Sequence, residues 1–199
     1  MRMQIDRMIH EENQLLGPEN RVILWMHGCH RQCAGCIAAE RNQNSSQVLS
    51  LSIRAIMDYV LQKPIEGITV SGGEPFLQSE ALAELTHAAA EKKLGIILYT
   101  GYQYEELLGL PFAKEILQVT DTLIDGPYIQ ELDDGKPFRG SSNQKIHLLT
   151  ERYADFYQSQ NTARSCNIIW HGSYCELNGI PDKASRSIWK KIQSKGDLS

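Results

Sequence analysis

Three cysteines, Cys29, Cys33 and Cys36, stand in a C-x3-C-x2-C run. Thiolates packed this closely along one short loop can converge on a single metal centre, and soft sulfur ligands favour zinc or an iron–sulfur cluster. A structural zinc site takes four ligands, so His27 or His30 would have to complete it. A [4Fe–4S] cluster normally takes four cysteines; held by three, it keeps one iron open to a substrate or cofactor. Gly28 and Gly35 let the loop wrap closely without side-chain obstruction. Cys166 and Cys175 lie far along the chain, and two thiols cannot hold a second cluster by themselves, so they read as half-buried free cysteines.

Three further groups have the chemistry to hold a ligand. In Ser71-Gly72-Gly73-Glu74-Pro75, the glycines allow backbone groups to approach a ligand. Glu74 can accept a charge-assisted hydrogen bond from a cationic amino group, and Pro75 suits a turn leading into a helix. Thr100-Gly101 and Asp125-Gly126 each follow a short apolar run. In β/α sheets ligands lie beyond the carboxyl ends of the strands, which puts Thr100, Gly101 and Asp125 at a binding rim. The bland reading of each of these groups is an ordinary turn. Trp170, His171 and Tyr174 could line a substrate mouth, though aromatics in a hairpin usually serve packing.

The elements that position these residues alternate between apolar runs and helical spacing, which predicts a mostly parallel sheet. Val22–Met26, Gly67–Ser71, Ile96–Tyr99 and Thr122–Ile124 read as strands. Ser52 stands where a helix N-cap should, ahead of Ile53, Ile56, Met57, Val60 and Leu61, and Ser79 stands ahead of Leu82, Leu85 and Ala89. Two short helical stretches flank Pro111. Gln130 to Asn143 is polar and glycine-bearing and reads as a long loop, a type of segment that is often functional; its acidic stretch Glu131 to Asp134 would suit a basic partner. Lys145–Leu149 reads as a strand, Asn167–Leu177 as a hairpin turning at His171-Gly172-Ser173, and Asp182 as the cap of a last helix with Ile188, Trp189 and Ile192. The expected organisation is a single domain over residues 1–199, with 150–199 as an appended α+β tail.

Composition narrows the setting. The 199 residues carry 20 Lys and Arg against 24 Asp and Glu, a net charge of −4 that offers no basic surplus for nucleic acid. With 42% hydrophobic and 22% charged residues the chain is of ordinary globular composition. It has no apolar run long enough to span a membrane, and Met1 to Gly17 lacks the apolar core of a signal peptide, so a cytoplasmic location is expected. Five cysteines, an odd number, argue against a disulfide framework.

The C-x3-C-x2-C loop after the Val22–Met26 strand, with Gly-Gly-Glu-Pro ending the next parallel strand, resembles the radical SAM superfamily. The resemblance implies a partial (β/α) barrel in which Cys29, Cys33 and Cys36 hold a [4Fe–4S] cluster. Its open iron would be chelated by the amino and carboxylate groups of S-adenosyl-L-methionine. Glu74, with the backbone of Gly72 and Gly73, would hold the methionyl end. Thr100 and Gly101 would lie near the adenosyl portion, and Asp125 would reach a ribose hydroxyl or the methionyl group. Reduction would cleave the sulfonium to methionine and a 5′-deoxyadenosyl radical. Within the superfamily the chain resembles the small activating enzymes of glycyl-radical enzymes, of the type that serves anaerobic ribonucleotide reductase. It is short, its cysteine loop begins early, and Arg139-Gly140-Ser141-Ser142-Asn143-Gln144 resembles a stretch those activases carry after the fourth strand. It departs from them in having Ile37-Ala38 after the third cysteine and Gly35 before it. A glycyl-radical enzyme is the implied partner, with an electron donor such as flavodoxin or ferredoxin. The rival readings are a radical SAM enzyme acting on a small molecule or ribosomal peptide, and a metal-binding module without chemistry.

Overall fold

The apolar run at Val22 forms β2 (Arg21–Met26), buried at every position, as a strand covered on both faces must be. In the computed structural model, which describes residues 1–38, 48–159, 164–170, 172 and 175–196, this strand is near the middle of a seven-stranded sheet. Its parallel neighbours are β4 (Gly67–Gly72), β5 (Gly95–Tyr99) and β6 (Thr122–Asp125), in that order. On the other side β1 (Arg2–Glu11) runs antiparallel to both β2 and β3 (Leu49–Ser52), and β7 (Lys145–Leu148) runs antiparallel to β6. The order is β3-β1-β2-β4-β5-β6-β7, an α/β sheet with two edges and a parallel centre.

β1 is the element that the polar appearance of Met1 to Gly17 concealed. Met3 and Ile5 are fully buried and recur at strand period, while the charged residues between and after them mask the alternation. β3 has only four residues and gives no signal of its own.

One face of the sheet, through Val22, Leu24, Val70, Ile96 and Leu98, packs on the helices α1 (Ile53–Val60), α2 (Ser79–Glu91) and, beyond the short α3 (Tyr104–Leu107), α4 (Ala113–Gln118). Ser52 caps α1, its Oγ accepting from the Ala55 N–H at 3.1 Å. Ser79 does not cap α2. A 3-10 turn over Pro75–Gln78 runs directly into the helix, and the side chain that caps this turn is Glu74.

The opposite face carries Ile23, Trp25, Ile97 and Ile124, and residues from elsewhere cover it: Leu16, Tyr153 and Ile180. Tyr153 is held by Arg21, a fully buried side chain. Arg21 donates to Thr69 Oγ1 at 2.8 Å, to the Tyr153 hydroxyl at 2.9 Å and to the carbonyls of Pro18, Ile68 and Gly95. After α5 (Ala154–Ser159) comes a separate hairpin, β8 (Cys166–Trp170) with β9 (Cys175–Gly179), and then α6 (Lys183–Gly196), capped by Asp182 through the Ser185 N–H at 2.7 Å. His171 and Tyr174 lie outside the described residues, and Trp170 is 68% exposed.

The long loop from Gln130 is not a free polar strap. Its Asp133 pairs with Arg164 at 2.8 Å, both side chains almost completely buried, and its Asp134 pairs with Arg139. Arg164 also donates to the carbonyls of Arg139 (2.7 Å) and Gly140 (3.2 Å), so the loop is stitched to the C-terminal segment. Of the three acidic residues in the stretch expected to meet a partner, Asp133 is therefore spent inside the molecule, Asp134 is engaged by Arg139 at the surface, and Glu131 stays exposed. No helix among the described residues is long and apolar enough to cross a membrane.

Candidate functional site

The cysteine loop leaves β2 at Met26 and is bonded at once to the turn that ends β4. The Gly73 N–H donates to the Met26 carbonyl and the Glu74 N–H to the Gly28 carbonyl, each at 2.8 Å. The second glycine of the turn is required by this contact, because a Cβ on Gly73 would stand 2.1 Å from the Gly28 carbonyl oxygen. Further on, the Cys36 N–H donates to the Cys33 carbonyl at 3.1 Å, and Gly35 takes a left-handed φ of 71°. None of the five cysteines is in a disulfide, and the three of the loop are partly exposed.

Cys29, Cys33 and Cys36 line one cavity together with Gly72, Gly73, Glu74, Thr100 and Gly101. These residues sit where β2, β4 and β5 end, so parallel strands deliver them to one rim. Burial pushes the Cys29 thiol up, and the Glu74 carboxylate and the other two thiols push it the same way.

Glu74 is 1% exposed and ties two strand ends together. Its Oε1 accepts from the Thr100 hydroxyl at 2.8 Å and the Phe76 N–H at 3.1 Å; its Oε2 accepts from the Gly101 N–H at 2.8 Å. A carboxylate offers about four acceptor positions, so one remains for a ligand. Burial raises the Glu74 carboxyl above its usual range, against the downward pull of those donors and of Arg31. Thr100 and Gly101 thus serve first as partners of Glu74.

Asp125 has a different setting. It accepts from the Tyr104 N–H at 2.8 Å and the Lys145 N–H at 3.0 Å, and it lies 2.9 Å from His147 Nε2. Its neighbour Gly126 is the residue of that turn that lines the cavity. The Arg139–Gln144 run folds on itself: Gln144 Oε1 accepts from the Gly140 N–H at 2.7 Å, and Gln144 Nε2 donates to the Gly126 carbonyl at 2.8 Å. Gly140 and Gln144 reach the cavity, while Arg139 is engaged by Asp134 and the Gln144 carbonyl.

Sequence reasoning passed over two cations of this cavity. Arg31 lies inside the cysteine loop, which was signal enough to find it; its guanidinium sits 4.6 Å over the Tyr102 ring and pairs with Glu106 at 3.2 Å. Arg186 comes from α6, and no motif announces it. The Nε atoms of both are buried with no hydrogen-bond partner among the described residues. The two possible nitrogen ligands for zinc have other partners, His27 Nδ1 with Asp6 at 2.8 Å and His30 against the Tyr102 ring. Among the described residues the three thiols share this cavity without converging into a ready-made metal-holding group. It is the donor set, with three partly exposed thiols, a glycine-backed wall, a buried carboxylate and two cations with unused donors, that suits a cluster beside a zwitterionic cofactor.

An open parallel-rich α/β sheet with a three-cysteine loop bonded to a Gly-Gly-Glu-Pro turn is the arrangement that the resemblance to small radical SAM proteins implies. Comparison of the sequence with known proteins shows its family. The profile of the "4Fe-4S single cluster domain" family matches residues 15–147. The anaerobic ribonucleoside-triphosphate reductase-activating protein of enterobacteria phage T4 is 31% identical over 142 residues, covering 68% of this chain and 88% of that protein. The proteins of the same name from Vibrio cholerae (32% over 145 residues) and Escherichia coli K12 (30% over 146 residues) each align over 67% of this chain and 91% of their own length. Among solved structures, QueE from Escherichia coli is similar with a TM-score of 0.45 and 14% identity, over 51% of this chain and 53% of that one. The chain belongs to the 4Fe–4S single cluster domain family, among its radical SAM activating enzymes, whose cofactors are a [4Fe–4S] cluster and S-adenosyl-L-methionine.

Proposed function

We propose that this protein generates a glycyl radical on a partner enzyme of the anaerobic ribonucleotide reductase type. When bound, the cluster and S-adenosyl-L-methionine supply a 5′-deoxyadenosyl radical able to take a hydrogen atom from a glycine. Cys29, Cys33 and Cys36 hold the cluster. Glu74 offers its remaining acceptor position to the amino group of the cofactor and, through Thr100 and Gly101, sets the edge against which the adenosyl portion lies. Gly72 and Gly73 bring backbone groups close to the methionyl end. Asp125 acts at one remove: by fixing Tyr104 and Lys145 it shapes the Gly126 turn. The sheet forms the wall of a partial (β/α) barrel in a single domain, open enough to admit a loop of another protein. A small redox protein such as flavodoxin or ferredoxin supplies the electron.

The observation that supports this reading most is the cavity in which three thiols meet Gly72, Gly73 and Glu74. The test is anaerobic reconstitution followed by reduction with S-adenosyl-L-methionine and the glycyl-radical enzyme encoded alongside. A carbon-centred doublet on that enzyme in electron paramagnetic resonance is the expected result. Cofactor cleavage that depends on a peptide or small metabolite, with no radical stored on any protein, would overturn it. Iron and sulfide analysis of the five single Cys→Ala variants should show loss of the cluster at positions 29, 33 and 36 and retention at 166 and 175.

A further inference from the structure

The family match ends at residue 147, yet the cavity does not. Gly179, Ile180, Pro181 and Arg186 line it beside the cysteines. Ile180 packs with Leu16 and Trp25 on the sheet face away from α1 and α2. Arg186 reaches farthest: its Nη1 donates to the carbonyl of Gly35, the peptide just before Cys36.

That guanidinium is held from several sides. It lies 5.0 Å over the Tyr128 ring, its Nη2 is 4.0 Å from Asp133, and its side chain is 15% exposed. Asp133 is itself fixed by Arg164 at 2.8 Å, and Arg164 also donates to the Pro181 carbonyl at 3.4 Å. On its other flank the cysteine loop is pressed against Gln130, since a Cβ on Gly35 would stand 2.2 Å from Gln130 Oε1. The stretch Gly35–Cys36 is thus clamped between the long loop and α6.

We propose that the stretch from Gly179 to Arg186 is a wall of the cofactor cavity, and that Arg186 is a positioning residue for the cysteine loop. It fixes the peptide that presents Cys36 and places a buried cation beside the cluster. The inference rests on the radical SAM reading given above. A fixed cation stabilises the more negative, reduced state of a cluster, and cluster potentials are set by net charge and hydrogen bonding in this way. Lysine keeps the charge but not the planar fork, so it should restore the effect only in part.

The test uses the full-length protein, reconstituted anaerobically as parent, Arg186→Ala, Arg186→Lys and Lys183→Ala, the last a control for charge on the same helix. Readouts are iron content, the midpoint potential of the cluster, its reduced-state spectrum with and without S-adenosyl-L-methionine, and calorimetric affinity for that cofactor. Arg186→Ala should shift the potential negative, alter the cofactor-dependent change in the spectrum and weaken cofactor binding several-fold. Arg186→Lys should fall between it and the parent, and Lys183→Ala should match the parent. Loss of the cluster from Arg186→Ala in a chain whose cluster-free thermal melt is unchanged supports the same role. Parent-like potential, spectrum and affinity in Arg186→Ala would overturn it, and if that variant does not fold, the same result in Arg186→Lys decides. A parent protein that takes up no four-iron cluster would instead defeat the underlying reading.

Discussion

At the scale of the residue, Glu74 carries the most consequence. It was expected to meet a cofactor amine; the structure also makes it the bond between two strand ends. Glu74→Gln replaces an acceptor oxygen by a donor facing either the Thr100 hydroxyl or the Gly101 N–H. Losing the charge-assisted bonds should cost about 1.5–3 kcal/mol, roughly ten- to hundred-fold in affinity for S-adenosyl-L-methionine. Calorimetry on the reconstituted variant checks this, and unchanged affinity would remove Glu74 from the site. The same residue gives a pH signature. Burial raises its folded-state pKa, so the folded chain keeps this proton to higher pH than the unfolded chain. The associated stabilisation is complete below the ordinary carboxylate range and is lost as pH rises through the raised value. The stability advantage of the cluster-free parent over Glu74→Gln should therefore shrink across that interval, measured as denaturant midpoints. An advantage that grows with pH would contradict the assignment.

At the scale of the element, what matters is how turns at adjacent strand ends interlock. The cysteine loop has few backbone bonds of its own and borrows its shape from the β4 turn through Met26 and Gly28. Gly73→Ala must push the Gly28 carbonyl away, so it should reduce cluster retention and cofactor affinity together. Gly109→Ala, where the nearest atom to a new Cβ is 3.6 Å away, should leave both intact. Equal cluster content in the two variants would show that the loop holds its own conformation. Ser52→Ala tests a purely structural terminus: loss of the α1 cap should lower stability by about 1 kcal/mol with no change in the cluster spectrum.

At the scale of the whole molecule, a few buried arginines join segments distant in sequence. Arg21 fastens β2 to β4, β5 and the Tyr153 segment, and Arg164 fastens the long loop to the C-terminal segment. Removing Arg21 strands several buried acceptors at once. Arg21→Ala should destabilise by about 3–5 kcal/mol, which at about 2–4 °C per kcal/mol for a chain of this size is a large drop in Tm. A thermal melt within a degree or two of the parent would show that water or neighbouring side chains replace it.

The cysteine loop, the glycine-glutamate turn, the parallel strands that deliver them to one rim, and the α/β class were all legible in the amino-acid order. Those features are local: a ligand set within eight residues, apolar runs that must be buried on both faces, and Ser52 and Asp182 as helix caps. The remainder depends on contacts between segments far apart in the chain. β1 was hidden because charged residues interrupt its alternation and only its pairing with β2 and β3 makes it a strand. Gln130 to Asn143 looked open because Asp133 looks solvated in sequence, whereas Arg164 buries it and Arg139 ties its neighbour Asp134 back at the surface. The side chain holding Gly35 comes from residue 186, a separation no periodicity encodes, so its place in the cavity exists only once the chain has closed on itself.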